Sequence, residues 1–116
     1  MGKVAIVILS GADNPGRATA GLHVAKRMYD AREENQLEAV EVFLFTQGVR
    51  LLADPSKEID GLLHQLIDDG IVVGACTNQL NQWNLATTAD AYGVQAEFAR
   101  DAFSRYARDG YTVITF

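Results

Sequence analysis

The chain has few cysteines and prolines, no basic cluster and no long hydrophobic run, and these absences bear on the structures and functions that it can have. Its 116 residues include one cysteine and two prolines. A single cysteine cannot form an internal disulfide, which agrees with a reducing compartment. No Cys/His cluster has the spacing of metal ligands, so we expect no metal site. With 48% hydrophobic and 22% charged residues, the chain has the composition of a globular protein and not of a disordered or fibrous one.

Basic clusters and long hydrophobic runs are also missing. The formal charge is -5, and no group of Lys and Arg is large enough to neutralise phosphates, so nucleic acid is not an expected partner. The apolar run from Val4 to Leu9 is shorter than a signal-peptide core and much shorter than a membrane span. We therefore expect a cytoplasmic protein that makes no contact with a membrane.

Phosphate-binding motifs are absent from the first glycine-containing segment, Ser10 to Gly16. It contains neither Gly-x-Gly-x-x-Gly nor a Walker-type Gly-Lys-Ser/Thr, and it lacks the hydroxyl-rich phosphate loop of flavodoxins. A receiver domain would have an aspartate where the third predicted strand ends, and this chain has Cys76 there. The sequence therefore predicts no nucleotide or flavin cofactor.

The chain does contain an alternation of apolar strands and amphipathic helices. Continuous apolar runs predict strands at 3–9, 39–45, 71–76 and 111–116, with a brief strand or turn at 92–94. Helices are predicted from Pro15 to about Glu34, from Asp54-Pro55 to Gly70, over 78–86, and from Ala99 to Gly110, with a short helical turn at 49–53 and a loop at 87–90. This order predicts one α/β domain over residues 1–116, with a parallel sheet and right-handed crossovers.

Two helices show clear apolar faces. In the first, small and apolar residues recur at Ala18, Leu22, Ala25 and Tyr29, and His23 lies beside this stripe. In the second, the predicted buried face is Ile59, Leu62, Leu63, Leu66 and Ile67, so His64 points away from it. We assign both histidines to helix surfaces and not to a catalytic site.

The loops after the first three major strands are predicted to meet at one edge of the sheet, because the carboxyl ends of parallel strands share that edge. They supply backbone N–H groups, hydroxyls, amides and one arginine. The candidate ligand-binding residues are Ser10, Gly11, Asn14, Arg17, Thr46, Gln47, Gly48, Thr77, Asn78 and Gln79.

The candidate catalytic residue is Cys76, the only strong nucleophile in these loops. It lies where the glycine-bounded apolar run ends and the polar Thr77-Asn78-Gln79 begins. A thiol at a helix N-terminus faces free N–H donors, which favour the thiolate form. Free cysteines are also among the most buried residues. The sequence by itself therefore leaves open the alternative that Cys76 is a small hydrophobic residue of the core.

The order and spacing of several segments resemble the DsrE/DsrF-like family of small sulfur-relay proteins. The matching segments are 4–11, 14–18, 42–45 with Gly48-Val49, 70–76 and 113–116. The resemblance implies a flavodoxin-like, three-layer α/β/α fold with a mainly parallel sheet of four to five strands. It also implies assembly into a trimer or hexamer and a persulfide-carrying role for Cys76. In this chain Thr77 to Leu80 follow Cys76, where relay members often have a second cysteine or a glycine.

Two kinds of function remain at this stage. The first is a sulfur-relay protein that receives sulfane sulfur on Cys76 from a donor protein and passes it to an acceptor thiol. The alternative is an oligomeric binding module for a small anionic or nucleotide-like ligand, or a structural subunit of a relay assembly. Both predict a homo-oligomer, for which the sequence suggests an apolar rim at Leu80, Trp83 and Leu85.

Overall fold

The computed structural model describes residues 1–116, and one or two helices lie between each pair of successive strands. The strands are β1 (Gly2–Ile8), β2 (Leu37–Leu44), β3 (Val73–Cys76), β4 (Gln95–Glu97) and β5 (Tyr111–Thr115). The α-helices are α1 (Pro15–Asp30), α2 (Lys57–Asp68), α3 (Thr77–Gln82), α4 (Ala86–Tyr92) and α5 (Ala99–Arg108), and a 3₁₀ helix spans Thr46–Leu52.

All five strands pair in parallel in the order β4-β3-β2-β1-β5. Strands β2, β3 and β4 follow β1 in sequence order toward one edge of the sheet. Right-handed crossovers between them place α1, α2 and α4 on one face of the sheet. The contacts of α2 with both α1 and α4 agree with this. The last connection runs in the opposite direction, which places α5 alone on the other face. The expected three-layer α/β/α fold is confirmed.

The core lies on both faces of the central strands. Residues Val4 to Ile8 of β1 are all buried, as the continuous apolar run predicted. Helix α1 packs against the sheet through a stripe of mostly small residues, Ala18, Gly21, Leu22 and Ala25, while Tyr29 is half-buried. Helix α2 buries the predicted apolar face except for Ile67, which is half-buried, and His64 is exposed.

Several element boundaries differ from the prediction. Helix α1 ends at Asp30 and not near Glu34, and the turn that follows contains Gln36 with φ +59°. Helix α2 begins at Lys57, not at Asp54-Pro55, because the Ser56 hydroxyl caps it by accepting the N–H of Ile59 at 3.2 Å.

The predicted loop at 87–90 is wrong, since these residues belong to α4. Ala89 is buried on this helix, and Gly93 ends it with φ +89°, a conformation that favours glycine. The small strand β4 then lies at 95–97, just beyond the expected strand or turn.

The apolar rim expected at Leu80, Trp83 and Leu85 is also wrong. Leu80 and Leu85 are buried, and Trp83 is half-buried with the Arg50 guanidinium 5.3 Å from its ring centre. The large apolar residues that are exposed lie elsewhere, at Met1, Leu9, Val72, Phe98, Val113 and Ile114. None of the helices is long and apolar enough to cross a membrane.

Two glycines allow the loops at the carboxyl edge to touch. A Cβ on Gly48 would overlap the carbonyl oxygen of Ile8, and a Cβ on Gly11 would overlap that of Gln47. Both overlaps involve backbone atoms, which move only with the strand or the 3₁₀ helix that carries them. Glycine is therefore needed here for close approach.

We expect Gly48→Ala to lower the free energy of unfolding by about 2 kcal/mol or more, because an added methyl must displace the end of β1. Urea denaturation measures this change. The control is Gly61→Ala, since a Cβ there meets nothing within 4 Å in the middle of α2. That variant should gain about 0.5–1 kcal/mol from helix propensity. Equal stabilities for the two variants would contradict the packing argument.

Candidate functional site

The loops after β1, β2 and β3 meet at one edge of the sheet, as expected, and Thr46 links them. The N–H of Thr46 donates to Oε1 of Gln79 at 2.7 Å, and its hydroxyl donates to the carbonyl of Leu9 at 2.9 Å. Thr46 makes both contacts from a left-handed conformation, with φ +53°. These bonds fix the loop after β3 against the loop after β2.

Cys76 is the last residue of β3 and the N-cap of α3. It lies opposite Glu97 of β4 in the parallel register and faces the side of the sheet that carries α5. The residue is 3% exposed, and its sulfur has no hydrogen-bond partner. Cys76 is part of the hydrophobic core, in agreement with the alternative that it is a small buried residue.

Cys76 also borders an open cavity of about 620 Å³. Polar and aromatic side chains share this lining. The other lining residues are Phe45, Asn78, Gln79, Gln82, Phe98, Ala99 and Arg100. Cys76 is thus buried in the core on one side and adjacent to a polar cavity on the other.

Sequence reasoning missed the wall of this cavity that comes from Phe98, Ala99 and Arg100. These residues join β4 to α5, and β4 has three residues with no apolar run. The signal that could have found them is topological. In a parallel sheet, the strand next to β3 also ends at this edge, and its following helix begins beside Cys76.

The predicted ligand-binding residues do not form one site. Asn78 and Gln79 line the Cys76 cavity, and Thr77 is half-buried directly after Cys76. Gly11 and Gln47 line a separate cavity of about 430 Å³ between α1, the 3₁₀ helix and α2, together with Arg50.

The remaining predicted residues serve the fold around this edge. Asn14 caps α1 by accepting the N–H of Arg17 at 3.2 Å, and the Arg17 side chain is exposed. Ser10 and Gly48 are buried in the loop packing. Neither Ser10, Asn14 nor Arg17 lines the Cys76 cavity.

A charged cluster fixes α5 beside this cavity. The Arg105 guanidinium donates two hydrogen bonds to Glu41 of β2 at 3.0 Å and two to Glu97 of β4 at 3.0 and 3.2 Å. Hydrogen bonds to Glu97, then to Glu41, raise the pKa of Arg105 above its usual value. Burial, together with donation to Glu41, raises the pKa of Tyr111 to about 12. Arg105 therefore stays charged, and the Tyr111 hydroxyl keeps its proton, at neutral pH.

Neither histidine lines the Cys76 cavity. His23 contacts Glu58 at 3.0 Å, and the exposed His64 ring lies 4.9 Å from that of Tyr92. Their assignment to helix surfaces agrees with this placement.

Comparison with known proteins gives a consistent family and fold. The model of the DsrE/DsrF-like family matches residues 2–116. The crystal structure of the ychN protein from E. coli is 18% identical, with a TM-score of 0.77 and 100% of both chains covered. A conserved protein of unknown function from Bacteroides thetaiotaomicron is 16% identical, with a TM-score of 0.75, 97% of this chain and 94% of that chain.

A third solved structure, a protein of unknown function from Methanobacterium thermoautotrophicum, is 21% identical, with a TM-score of 0.69 and full coverage of both chains. At these identities the structures support the fold alone. No curated protein matches the chain.

The Thr46–Gln79 bond leads to a direct test. We expect Gln79→Leu to lower the free energy of unfolding by about 1–2 kcal/mol, because it leaves the part-buried N–H of Thr46 without an acceptor. Gln79→Glu keeps an acceptor oxygen and should lose less. Gln82→Leu is the matched control, since Gln82 borders the same cavity from an exposed position. A loss as large in Gln82→Leu would argue against the bond.

Proposed function

Because the chain belongs to the DsrE/DsrF-like family, we propose that it is a sulfur-relay protein that carries sulfane sulfur as a persulfide on Cys76. The observation that carries this proposal is the position of Cys76. It borders a cavity large enough for a small thiol compound or the tip of a peptide. No other side chain of the chain is a thiol. A relay through this chain therefore depends on this sulfur.

The transfer step needs no oxidant. The Cys76 thiolate attacks the outer sulfur of a donor persulfide R–S–SH, forming a new S–S bond as the S–S bond of the donor breaks. The products are Cys76–S–SH and the donor thiolate R–S⁻. The same exchange in reverse, with an acceptor thiolate attacking the outer sulfur of Cys76–S–SH, delivers the sulfur and restores the Cys76 thiolate.

Side chains beside Cys76 suit an anionic sulfur. The amide oxygen of Gln79 is engaged by the N–H of Thr46, which leaves the amide NH₂ as its free hydrogen-bonding group. Asn78 also lines the cavity and carries a second amide. Together with the backbone at Thr77, these donors would stabilise a persulfide anion, which is a role we propose for the predicted Thr77-Asn78-Gln79 segment.

With one cysteine, the chain cannot resolve its own persulfide, so donor and acceptor must be other molecules. We propose partner proteins that bring their thiols to the carboxyl edge of the sheet. We place this exchange in the cytoplasm, where thiols are kept reduced.

The relay proposal predicts a mass change. After incubation with a cysteine desulfurase and cysteine, intact mass spectrometry should show the added mass of one sulfur atom, and reduction should remove it. Cys76→Ser is the control and should gain nothing. If the wild-type mass never rises, or if Cys76→Ser gains the same mass, the relay proposal is wrong and a binding module for a small anion becomes the better hypothesis.

We also propose that the chain forms a homo-oligomer, as a trimer or hexamer. Support comes from the family and from the exposed apolar residues Val72, Phe98, Val113 and Ile114. One helix covers the α5 face of a five-stranded sheet, so part of that face has no helix over it.

Sedimentation equilibrium at micromolar concentration should then give three or six times the 12.6 kDa mass of the chain. Val113→Lys should shift the distribution toward smaller species if β5 lies in a contact, while Lys57→Glu on the exposed start of α2 serves as a control. A monomer across the micromolar range would contradict the proposed assembly.

A further inference from the structure

Strand β5 forms an open edge of the sheet. It pairs with β1 alone, over Tyr111 to Thr115, and the register between them is continuous. Thr112 to Thr115 are all exposed, with Val113 at 43% and Ile114 at 39%. An edge strand of this kind presents a row of unpaired N–H and C=O groups, to which another strand can bond.

The unpaired backbone groups belong to alternate residues of β5. The N–H of Phe116 donates to the carbonyl of Val7 on β1 at 2.9 Å. Because every second residue of a strand directs its N–H and C=O to the same side, those of Thr112 and Ile114 also face β1. The residues whose N–H and C=O groups point away from the sheet are therefore Tyr111, Val113 and Thr115.

The two edges of the sheet differ in how they are protected. Proteins protect an open edge with a short strand, a charged residue, a proline or a bulge. The opposite edge strand, β4, has three residues, and one of them is Glu97. Strand β5 has five residues, no charged residue, no proline and no bulge, and most of its residues are β-branched. These features favour a strand that is paired on both sides.

The strand that complements β5 is β5 of a second copy. In an antiparallel pair with a twofold axis at Val113, each outward-facing residue meets another, because Val113 meets Val113 and Tyr111 meets Thr115. Thr112 then lies beside Ile114, so β-branched side chains pair across the contact. Since β5 has no charged residue, no like charges are brought together. Pairing with β4 of another copy would be head-to-tail and would cover three residues only.

We propose that two copies of this chain join by antiparallel β5–β5 pairing, which makes one continuous sheet across the twofold axis. This inference rests on the proposed homo-oligomer and specifies one of its contacts. Because the contact joins copies in pairs, it selects the hexamer over the trimer, as a pair of trimers joined through twofold contacts. The Cys76 cavity lies beside β3 and the start of α5, far from β5 in the strand order, so this contact does not cover it.

Cysteine cross-linking tests the register of the pair. The background is Cys76→Ser, which removes the only thiol of the chain. Val113→Cys then places two Cα atoms about 5.5 Å apart across the axis, within the range of a disulfide. We expect mild oxidation at micromolar concentration to convert most of this variant to a covalent dimer, measured on a non-reducing gel.

Thr115→Cys in the same background is the matched control. It lies on the same exposed edge, but the two copies of residue 115 are separated by four residues along the strands, roughly 13 Å. Its dimer should form at least about tenfold more slowly. Equal rates in the two variants, or no cross-link in either, would overturn the pairing. If sedimentation still gives an oligomer in that case, the homo-oligomer stands and this contact alone is wrong.

Amide hydrogen exchange tests the coverage of the edge without a cysteine variant. The N–H of Ile114 faces β1 and should exchange slowly in any assembly, whereas the N–H of Thr115 is protected only if another strand covers β5. We expect both to exchange slowly in the wild-type chain. Val113→Lys brings two like charges together at the axis, so exchange at Thr115 should become at least about tenfold faster while Ile114 stays slow.

Fast exchange at Thr115 in the wild-type chain would overturn the proposal. Slow exchange at Thr115 without a cross-link in Val113→Cys would also overturn it, because a different segment would then cover β5.

Discussion

The four hydrogen bonds from Arg105 to Glu41 and Glu97 hold the only helix on its face of the sheet. Glu41 and Glu97 lie on two different strands, β2 and β4, so the guanidinium fork sets the position of α5 relative to both. The N-terminal turn of that helix forms one wall of the Cys76 cavity. An apolar contact alone would leave α5 free to slide along the sheet, whereas paired donors and acceptors define one position.

The same arrangement explains how a core cysteine can border open space. Because β1 to β4 are added in one direction, three helices crowd one face and a single helix covers the other. Helix α5 contacts β5, and its Phe103 ring meets those of Phe43 and Phe45 on β2 and just after it. The edge strand β4 and its neighbour β3 are left partly open on this side. Cys76 lies at the end of β3 that faces this opening.

The loops at the carboxyl edge are organised by backbone contacts more than by their side chains. Gly11 and Gly48 let the loops after β1 and β2 touch, and Thr46 links them to Gln79 after β3. Residues that looked like ligand-binding groups in the sequence, Ser10 and Asn14 among them, are used by the fold as buried or capping groups. Of the other predicted residues, Asn78 and Gln79 border the Cys76 cavity, whereas Gly11 and Gln47 border a separate one.

The sequence by itself determined the α/β order, the buried strand β1, the apolar faces of α1 and α2, and the position of Cys76 at a strand end, because these depend on local periodicity and on which residues break it. It missed α4 and placed the brief strand β4 a few residues too early, because these short segments have weak patterns and are stabilised by packing of Ala89 and by pairing with β3. It also separated Arg100 from Cys76 by 24 positions along the chain. Only the tertiary structure decided that these two residues share a cavity, since the pairing of β4 with β3 and the Arg105 cluster bring the start of α5 to that edge.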